Sequence, residues 1–203
     1  CNTGFRICFC CYSLTCNGKQ KGTNVILTGS KILQAVLEGK IQISPFVAAQ
    51  LNPNSYDLRL SPHVMEYTDT VLDAAREPTV HAYQIPAEGL VLQPGRLYLM
   101  ATVEQTGTKH YVPGIEGRSS VGRLGISVHA TAGFGDVGFD GTWTLEVSVI
   151  KPVRVYAQMR ICQVYFMSCA EPTADDLYVG KYLHQELPKP TRIWTEKEEW
   201  LRS

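Results

Sequence analysis

Residues 118–146 contain many of the side chains in this sequence that suit chemistry at a bound ligand. Arginine, serine, histidine, aspartate and glutamate residues are interspersed there with glycines. Such a mixture is unsuited to a hydrophobic core, whereas glycines let the backbone approach a ligand closely and a carboxylate can transfer protons. The segment predicts a site that holds a phosphorylated ligand and acts on it with a carboxylate.

Glu146 is the first candidate for that carboxylate. In the alternating pattern of residues 143–149, Trp143, Leu145 and Val147 share one face and Glu146 lies on the other. By periodicity alone, Glu146 is a solvated strand residue. The glycine-rich segment upstream, however, would bring a ligand to the same end of the sheet, where Glu146 could act as a general base.

Two further motifs precede Glu146 in the chain. Arg118 and Arg123 flank two serines, and their planar guanidinium groups suit phosphate, although an ordinary surface loop can have the same composition. The glycine-rich turn around Asp136 permits close backbone approach, but such turns are more often plain hairpin connections. Asp136 is either a turn-forming residue or a ligand to a sugar hydroxyl.

Two known nucleotide-site motifs do not occur in the sequence. There is no G-x-x-x-x-G-K-[ST] loop for phosphate. Zinc nucleobase deaminases need H-x-E followed by P-C-x-x-C; residues 184–186 match the first half, but every cysteine lies upstream of them. A zinc site of that type is excluded, and we interpret His129 as a hydrogen-bonded structural residue.

The bulk composition is ordinary for a globular protein. The 203 residues favour a single domain, with 44% apolar and 19% charged residues. The formal net charge is zero, so no overall positive field argues for a nucleic-acid or membrane partner. No apolar run approaches the roughly 20 residues of a membrane span.

The cysteines are concentrated at one end of the chain. Five of the seven fall within the first sixteen residues, whereas a disulfide-stapled secreted domain would spread them through the fold. A polar stretch, residues 19–24, follows them. We interpret residues 1–24 as an appendage that is disordered or non-native, and the remainder as a cytoplasmic protein.

The remaining pattern predicts one short helix followed by many strands. Ser30 is the expected N-cap of the helix, and Gly39 is expected just past its C-terminus. Its apolar face would consist of Ile32, Leu33, Val36 and Leu37. Strand patterns cover residues 55–60, 97–103, 143–149, 153–156 and 161–166. Turn residues are expected between strands at Pro62, Pro94-Gly95, Pro113-Gly114, Gly141 and Pro152. This spacing predicts an all-β sandwich or barrel for residues 25–170, and the irregular, charged residues 171–203 predict a mobile arm.

The spacing of the glycine-rich motifs resembles a known superfamily. Residues 133–141 (Gly-x-x-Asp-x-x-Phe-x-Gly) are similar to the uracil-deoxyribose motif of trimeric dUTPases, and residues 118–120 (Arg-Ser-Ser) are similar to their phosphate motif. Ordinary dUTPases carry an apolar residue five positions after the last motif glycine, where this sequence has Glu146. With Glu146, residues 117–146 resemble dCTP deaminase of the trimeric dUTPase superfamily, and the resemblance extends over about residues 25–193.

The resemblance implies a distorted, dUTPase-like β jelly roll that forms a homotrimer, with active sites between subunits and deamination without zinc. Glu146 would be the general base that activates water for attack at C4 of cytosine. Ser119 and Arg123 would orient the water and stabilise the tetrahedral intermediate, assisted by the backbone carbonyl of Ala132.

The resemblance also implies how the substrate is held. Arg118 would contact the triphosphate, bound as its magnesium complex. Asp136 would bind the deoxyribose 3′-hydroxyl, and Phe139 would pack against the sugar. The lid over the phosphates would comprise Tyr178, Lys181, Tyr182 and Gln185. The substrate-binding set is completed by Ser120, Thr131 and Gly133. The expected ligands are dCTP, its products dUTP or dUMP, and dTTP, which inhibits relatives.

Gly133 bears on where the reaction ends. Deaminases that stop at dUTP tend to have His directly after Thr-Ala, whereas dUTPases and bifunctional relatives have the glycine found here. Asp136 would then also position a water for attack on the α-phosphorus. The sequence favours conversion of dCTP to dUMP and diphosphate. The alternatives are a deaminase that releases dUTP, a plain dUTPase, which Glu146 argues against, and an inactive nucleotide-binding relative.

Overall fold

The computed structural model describes residues 25–202, so the interpretation of residues 1–24 as an appendage falls outside the described residues. The helices are α1 (Gly29–Leu37), α2 (Ser119–Gly122) and α3 (Lys197–Leu201). The strands are β1 (Ile41–Ser44), β2 (Tyr56–Tyr67), β3 (Val80–Gln84), β4 (Leu90–Leu92), β5 (Tyr98–Thr108), β6 (Tyr111–Gly117), β7 (Ile126–Ser127), β8 (Asp140–Val149), β9 (Val153–Val155) and β10 (Arg160–Ser168). Short 3₁₀ turns occur at Ala48–Gln50, Ala174–Asp176 and Ile193–Glu196.

One antiparallel sheet dominates the fold. Its main path runs β6-β10-β2-β5-β8-β7, while β1 also pairs with β5 and β3 with β2. β4 and β9 form a separate two-stranded sheet. The large sheet curves into a nearly closed barrel, and the predicted all-β architecture is confirmed. None of the helices in residues 25–202 is both long and apolar enough to cross a membrane.

The predicted alternation over residues 143–149 is confirmed in β8. Trp143, Leu145 and Val147 are buried in the core, while Glu146 lies on the opposite face and is only partly covered. Burying one such apolar side chain stabilises the fold by about 1.5–3 kcal/mol, so this register is strongly preferred. A shift by one residue would place Glu146 in the core, and core packing therefore fixes the face on which Glu146 lies.

The details of α1 differ from the prediction. Thr28, rather than Ser30, is the N-cap, and Gly39 has the expected left-handed conformation after the helix, with φ of +70°. The residues of α1 that are buried are Gly29, Ile32 and Ala35, whereas Leu33 and Leu37 are exposed. The helix begins so close to Asn52 that a Cβ at position 29 would lie 2.3 Å from the Asn52 carbonyl oxygen. This approach explains why the face that contains Gly29 turns inward.

Three of the expected strand breaks were wrong, because Pro62, Pro113 and Gly141 lie inside β2, β6 and β8. Pro62 falls where the pairing of β2 with β5 is irregular, so its missing N–H interrupts no regular ladder. Pro113 lies in β6, at the end of the sheet path, where a strand tolerates proline. Proline therefore marks irregular and peripheral strand positions in this protein rather than strand ends.

The C-terminal segment folds back onto the first half of β8. The backbone N–H of Thr142 donates to the Gln185 carbonyl at 2.8 Å, and the N–H of His184 donates to the Asp140 carbonyl at 2.7 Å. Farther along, the N–H of Lys189 donates to the Thr144 hydroxyl at 3.1 Å. The segment is irregular as expected, and these contacts bring it beside the strand that carries Glu146.

Candidate active site

A cavity of about 520 Å³ opens beside Glu146. Its walls come from β8, from the loop of residues 129–136 and from the C-terminal segment. Of the residues predicted from the sequence, those that line it are Glu146, Thr131, Ala132, Asp136, Phe139, Tyr178, Tyr182 and Gln185. Residues as far apart in the sequence as Thr131 and Gln185 therefore meet around one space large enough for a small ligand.

Glu146 projects from β8 with its side chain about one third exposed. One carboxylate oxygen, Oε2, is hydrogen-bonded to Nδ1 of His129. Strand pairing explains this contact, since β7 pairs with β8 through Ile126 with Val149 and Ser127 with Ser148. Continuation of that antiparallel register sets His129 opposite Glu146. The predicted hydrogen bond of His129 is present, and its partner is the candidate base.

An aromatic group forms one wall of the cavity. The ring of Phe139 lies 4.6 Å from that of Trp143 and 6.0 Å from that of Tyr178, measured between centroids. Trp143 is fixed by a 2.8 Å hydrogen bond from its Nε1 to the Thr106 hydroxyl. Phe139 is buried between these neighbours, so it offers a rigid apolar surface to a ligand.

The loop of residues 129–136 is held tightly against β6. The N–H of Ile115 donates to the Gly133 carbonyl at 2.7 Å, and the N–H of Gly135 donates to the Pro113 carbonyl at 2.9 Å. A Cβ at Gly133 would lie 2.5 Å from the Ile115 carbonyl oxygen, so this backbone path requires glycine there. Asp136, at the end of the loop, is exposed and faces the cavity.

Gln185 joins the C-terminal segment to β8 through hydrogen bonds. The side-chain amide of Gln185 donates to the Thr142 backbone carbonyl at 2.6 Å. The backbone carbonyl of Gln185 accepts from the Thr142 N–H. Gln185 is buried, while Tyr178 and Tyr182 are partly exposed toward the cavity. The hydroxyl of Tyr178 accepts a hydrogen bond from the N–H of Tyr182 at 3.3 Å.

Lys181 does not line this cavity. Its ammonium group pairs with the Glu196 carboxylate and donates to the Arg192 carbonyl at 3.3 Å. Arg192 in turn donates from its guanidinium to the Lys181 carbonyl at 2.8 Å. Lys181, predicted as part of the lid over the phosphates, is therefore paired with a neighbouring carboxylate in this conformation.

The arginine-serine motif lies in a different place from Glu146. Arg118, Ser119 and Ser120 line a second cavity of about 310 Å³. Arg118 Nε donates to Asp57 Oδ1 at 3.0 Å, and both serines are exposed. Arg123, the C-cap of α2, is exposed and lines neither cavity. Within one chain, these residues are not brought to Glu146.

Sequence reasoning missed several residues of the larger cavity. These residues are Tyr67, Leu97, Leu99, Trp143, Thr144, Lys189, Pro190 and Thr191. Burial raises the pKa of Tyr67, so it stays a neutral phenol at ordinary pH, and its hydroxyl accepts from the Thr191 N–H at 2.9 Å. No local motif predicts that these residues line a cavity, because they come together only through strand pairing and the return of the C-terminal segment.

The chain is similar in sequence to proteins that are already known. The family model for dCTP deaminase-like proteins matches residues 26–169. A protein of Hathewaya histolytica is 45% identical over 174 residues, which is 86% of this chain and 100% of that protein. One of Clostridium acetobutylicum is 49% identical over 173 residues, 85% of this chain and 98% of that protein. Both are named dCTP deaminase, dUMP-forming.

A solved structure shares the fold. The 2′-deoxycytidine 5′-triphosphate deaminase of Agrobacterium tumefaciens superposes with a TM-score of 0.58 at 22% identity, over 72% of this chain and 49% of that one. At that identity the likeness concerns the fold, which is the one expected from the sequence. By sequence, by the extent of the match and by its fold, the chain belongs to the dCTP deaminase-like family.

Proposed function

We propose that this protein deaminates dCTP at C4 and carries the product on to dUMP and diphosphate. The observation that carries the proposal is Glu146, a carboxylate beside the cavity that the deoxyribose motif also lines. Relatives named dCTP deaminase, dUMP-forming, at 42–49% identity over nearly their whole length support the same end point.

In the deamination step, Glu146 removes a proton from water as the oxygen attacks C4. The proton passes to N3, and Glu146 then transfers the proton of the new C4 hydroxyl to the amino group. The C4–N bond then breaks, ammonia leaves and a carbonyl forms at C4. The Ala132 carbonyl accepts a hydrogen bond from the attacking water, while Ser119 and Arg123 stabilise the tetrahedral intermediate.

The sugar is recognised by the loop of residues 129–136 and by the aromatic wall of the cavity. Asp136 accepts a hydrogen bond from the 3′-hydroxyl, and the Phe139 ring packs where a 2′-hydroxyl would clash. Thr131 and Gly133 shape the backbone of the same loop. The buried and braced position of Phe139 supports this role, because a rigid ring excludes an added hydroxyl better than a mobile one.

The second step cleaves dUTP between the α- and β-phosphates. Asp136 orients a water for attack on the α-phosphorus, and the bond to the diphosphate oxygen breaks. Support comes from the glycine at position 133, because the path of the loop leaves no room for a Cβ there. A histidine at this position would require the loop that carries Asp136 to move.

The site is further proposed to form between copies in a homotrimer. Arg118, Ser119, Ser120 and Arg123 would come from a neighbouring copy and complete the site around Glu146. The separation of the two cavities within one chain supports this arrangement. It would bring to Glu146 two arginines and two serines that one chain alone does not place there, with Arg118 directed at the triphosphate.

Magnesium is proposed to enter with the nucleotide, because triphosphate oxygens are the hard ligands that Mg²⁺ prefers. In the described part of the chain, the His, Cys, Asp and Glu side chains form no cluster of three or more suited to a metal ion. Tyr178, Lys181, Tyr182 and Gln185 would close over the phosphates, and dTTP would compete for the same site. A cytoplasmic location completes the proposal, supported by the free thiols of Cys162 and Cys169.

The proposal is tested by incubating purified protein with dCTP and Mg²⁺ and separating the products. Ammonia, dUMP and diphosphate are expected. Accumulation of dUTP instead would support a deaminase that stops after the first step, whereas cleavage of dUTP with dCTP untouched would identify a dUTPase. A zinc-selective chelator is expected to leave the activity unchanged.

A further inference from the structure

We propose that His129 is a positioning residue for the candidate base: its Nδ1–H holds one oxygen of the Glu146 carboxylate so that the other faces the substrate. This inference rests on the proposed function, since it assigns a partner to the base of that reaction. The observation behind it is the hydrogen bond between His129 Nδ1 and Glu146 Oε2.

The two strands beside β8 place one apolar and one polar residue opposite Glu146. Leu99 of β5 pairs with Glu146 on one side, and His129 lies opposite on the other, along the continued register of β7. Leu99 is buried and apolar. In the described part of the chain, His129 is the hydrogen-bonding partner of the Glu146 carboxylate, and Oε1 has no protein partner.

The environment of the imidazole fixes which nitrogen carries the hydrogen. A carboxylate accepts hydrogen bonds, so Nδ1 is the donor in this pair. The side chain of His129 is only 6% exposed, and Nε2 is buried without a hydrogen-bond partner among residues 25–202. The polar interaction of this ring is therefore directed at Glu146.

Limiting the rotation of the Glu146 carboxylate would favour the proposed reaction. The base must meet the attacking water and then N3 and the amino group from one location, so a rotating carboxylate would lose productive encounters. A hydrogen bond from a buried ring on a paired strand limits that rotation. The oxygen that His129 leaves without a partner is the one available to water.

The test compares three variants at position 129 by the kcat and KM for dCTP. In His129→Asn the amide nitrogen is attached to Cγ, as Nδ1 is in histidine, so this variant can keep the donor. His129→Gln moves the amide one carbon away, and His129→Leu removes it. Leu and Gln are expected to lower kcat by about tenfold or more, short of the 10²–10⁴-fold expected for loss of the base itself. KM is expected to change little, and Asn is expected to recover most of kcat.

Cleavage of dUTP by the same variants is the internal control. That reaction uses Asp136 rather than Glu146, so it is expected to stay near the wild-type rate in all three variants. Equal losses of both reactions, or equal losses in Asn and Leu, would assign His129 a packing role and overturn the proposal. If wild-type protein cleaves dUTP but does not deaminate dCTP, the proposed function fails and this inference fails with it. Unchanged deamination in a folded His129→Leu variant would overturn the inference alone.

Discussion

The position of Glu146 depends on core packing, and its surroundings depend on the neighbouring strands. Its strand buries alternate residues, and this holds the carboxylate on the cavity side. Leu99 and His129 flank it as apolar and polar neighbours. A carboxylate held in this way is suited to proton transfer, whereas a solvated strand glutamate would have no cavity beside it.

Glu146→Gln keeps the size of the side chain but removes its ability to accept a proton. Deamination of dCTP is expected to fall by about 10²–10⁴-fold, with binding of nucleotide and cleavage of dUTP largely retained. Product analysis and a binding titration would measure both. The matched control is Glu116→Gln, at an exposed position on β6, for which no change is expected. A variant at position 146 that still deaminates would remove Glu146 as the base.

Gly133→Ala tests the link between loop position and the second reaction. The added methyl group would meet the Ile115 carbonyl oxygen at 2.5 Å, so the loop carrying Asp136 must shift. Because displacement of about 1 Å can cost 10²-fold in rate, formation of dUMP is expected to fall more than deamination, and dUTP should accumulate. An unchanged ratio of dUMP to dUTP would show that the loop tolerates the methyl group.

The C-terminal segment forms hydrogen bonds both with β8 and within itself. Gln185 attaches it to Thr142 through both backbone and side chain. Lys181, by contrast, is held by Glu196 and Arg192 from later in the same segment. For Lys181 to contact a triphosphate, its pair with Glu196 must give way to the phosphate oxygens.

Glu196→Gln removes the carboxylate that competes for Lys181. An ion pair at a protein surface is worth about 0–1 kcal/mol, and this pair is partly exposed, so the KM for dCTP is expected to fall by up to about fivefold with little change in kcat. Glu198→Gln, in the exposed pair with Arg202, is the control for general charge effects and should leave KM unchanged. A higher KM in Glu196→Gln would mean that the pair holds Lys181 ready for the nucleotide rather than away from it.

The proposed site has two halves, and each chain carries both of them in separate places. One chain places Glu146 and the deoxyribose motif around one cavity and the arginine-serine motif around another. Symmetric assembly can join unlike surfaces of successive copies, so each interface would unite the two halves. A trimer closed in this way would contain equivalent sites at each interface.

Co-expression of Glu146→Gln and Ser119→Ala tests this arrangement directly. Each variant alone is expected to be inactive in deamination. In random trimers made from equal amounts, about a quarter of the interfaces would combine an intact Glu146 with an intact Ser119, so about a quarter of wild-type activity should return. An inactive mixture of folded trimers would mean that both residues act within one chain.

Features that depend on local spacing could be predicted from short stretches of the chain. The alternation in β8, the glycine after α1 and the family motifs around residues 118–146 are all visible in short windows. These follow from side-chain periodicity and from the few residues that tolerate unusual backbone, both of which act over a few positions. They sufficed for the fold class and for Glu146 as a candidate base.

Contacts between distant residues, by contrast, depend on how the whole chain folds. Proline at positions 62 and 113 read locally as strand breaks, yet sheet pairing accommodates both at irregular or peripheral places. The contact of His129 with Glu146 follows from the register of β7 with β8, and the separation of Arg118 from Glu146 follows from the path of the whole sheet. Long-range strand pairing depends on the sum of many burial and hydrogen-bond contributions. A short pattern in the chain therefore cannot predict which strands pair or in what register.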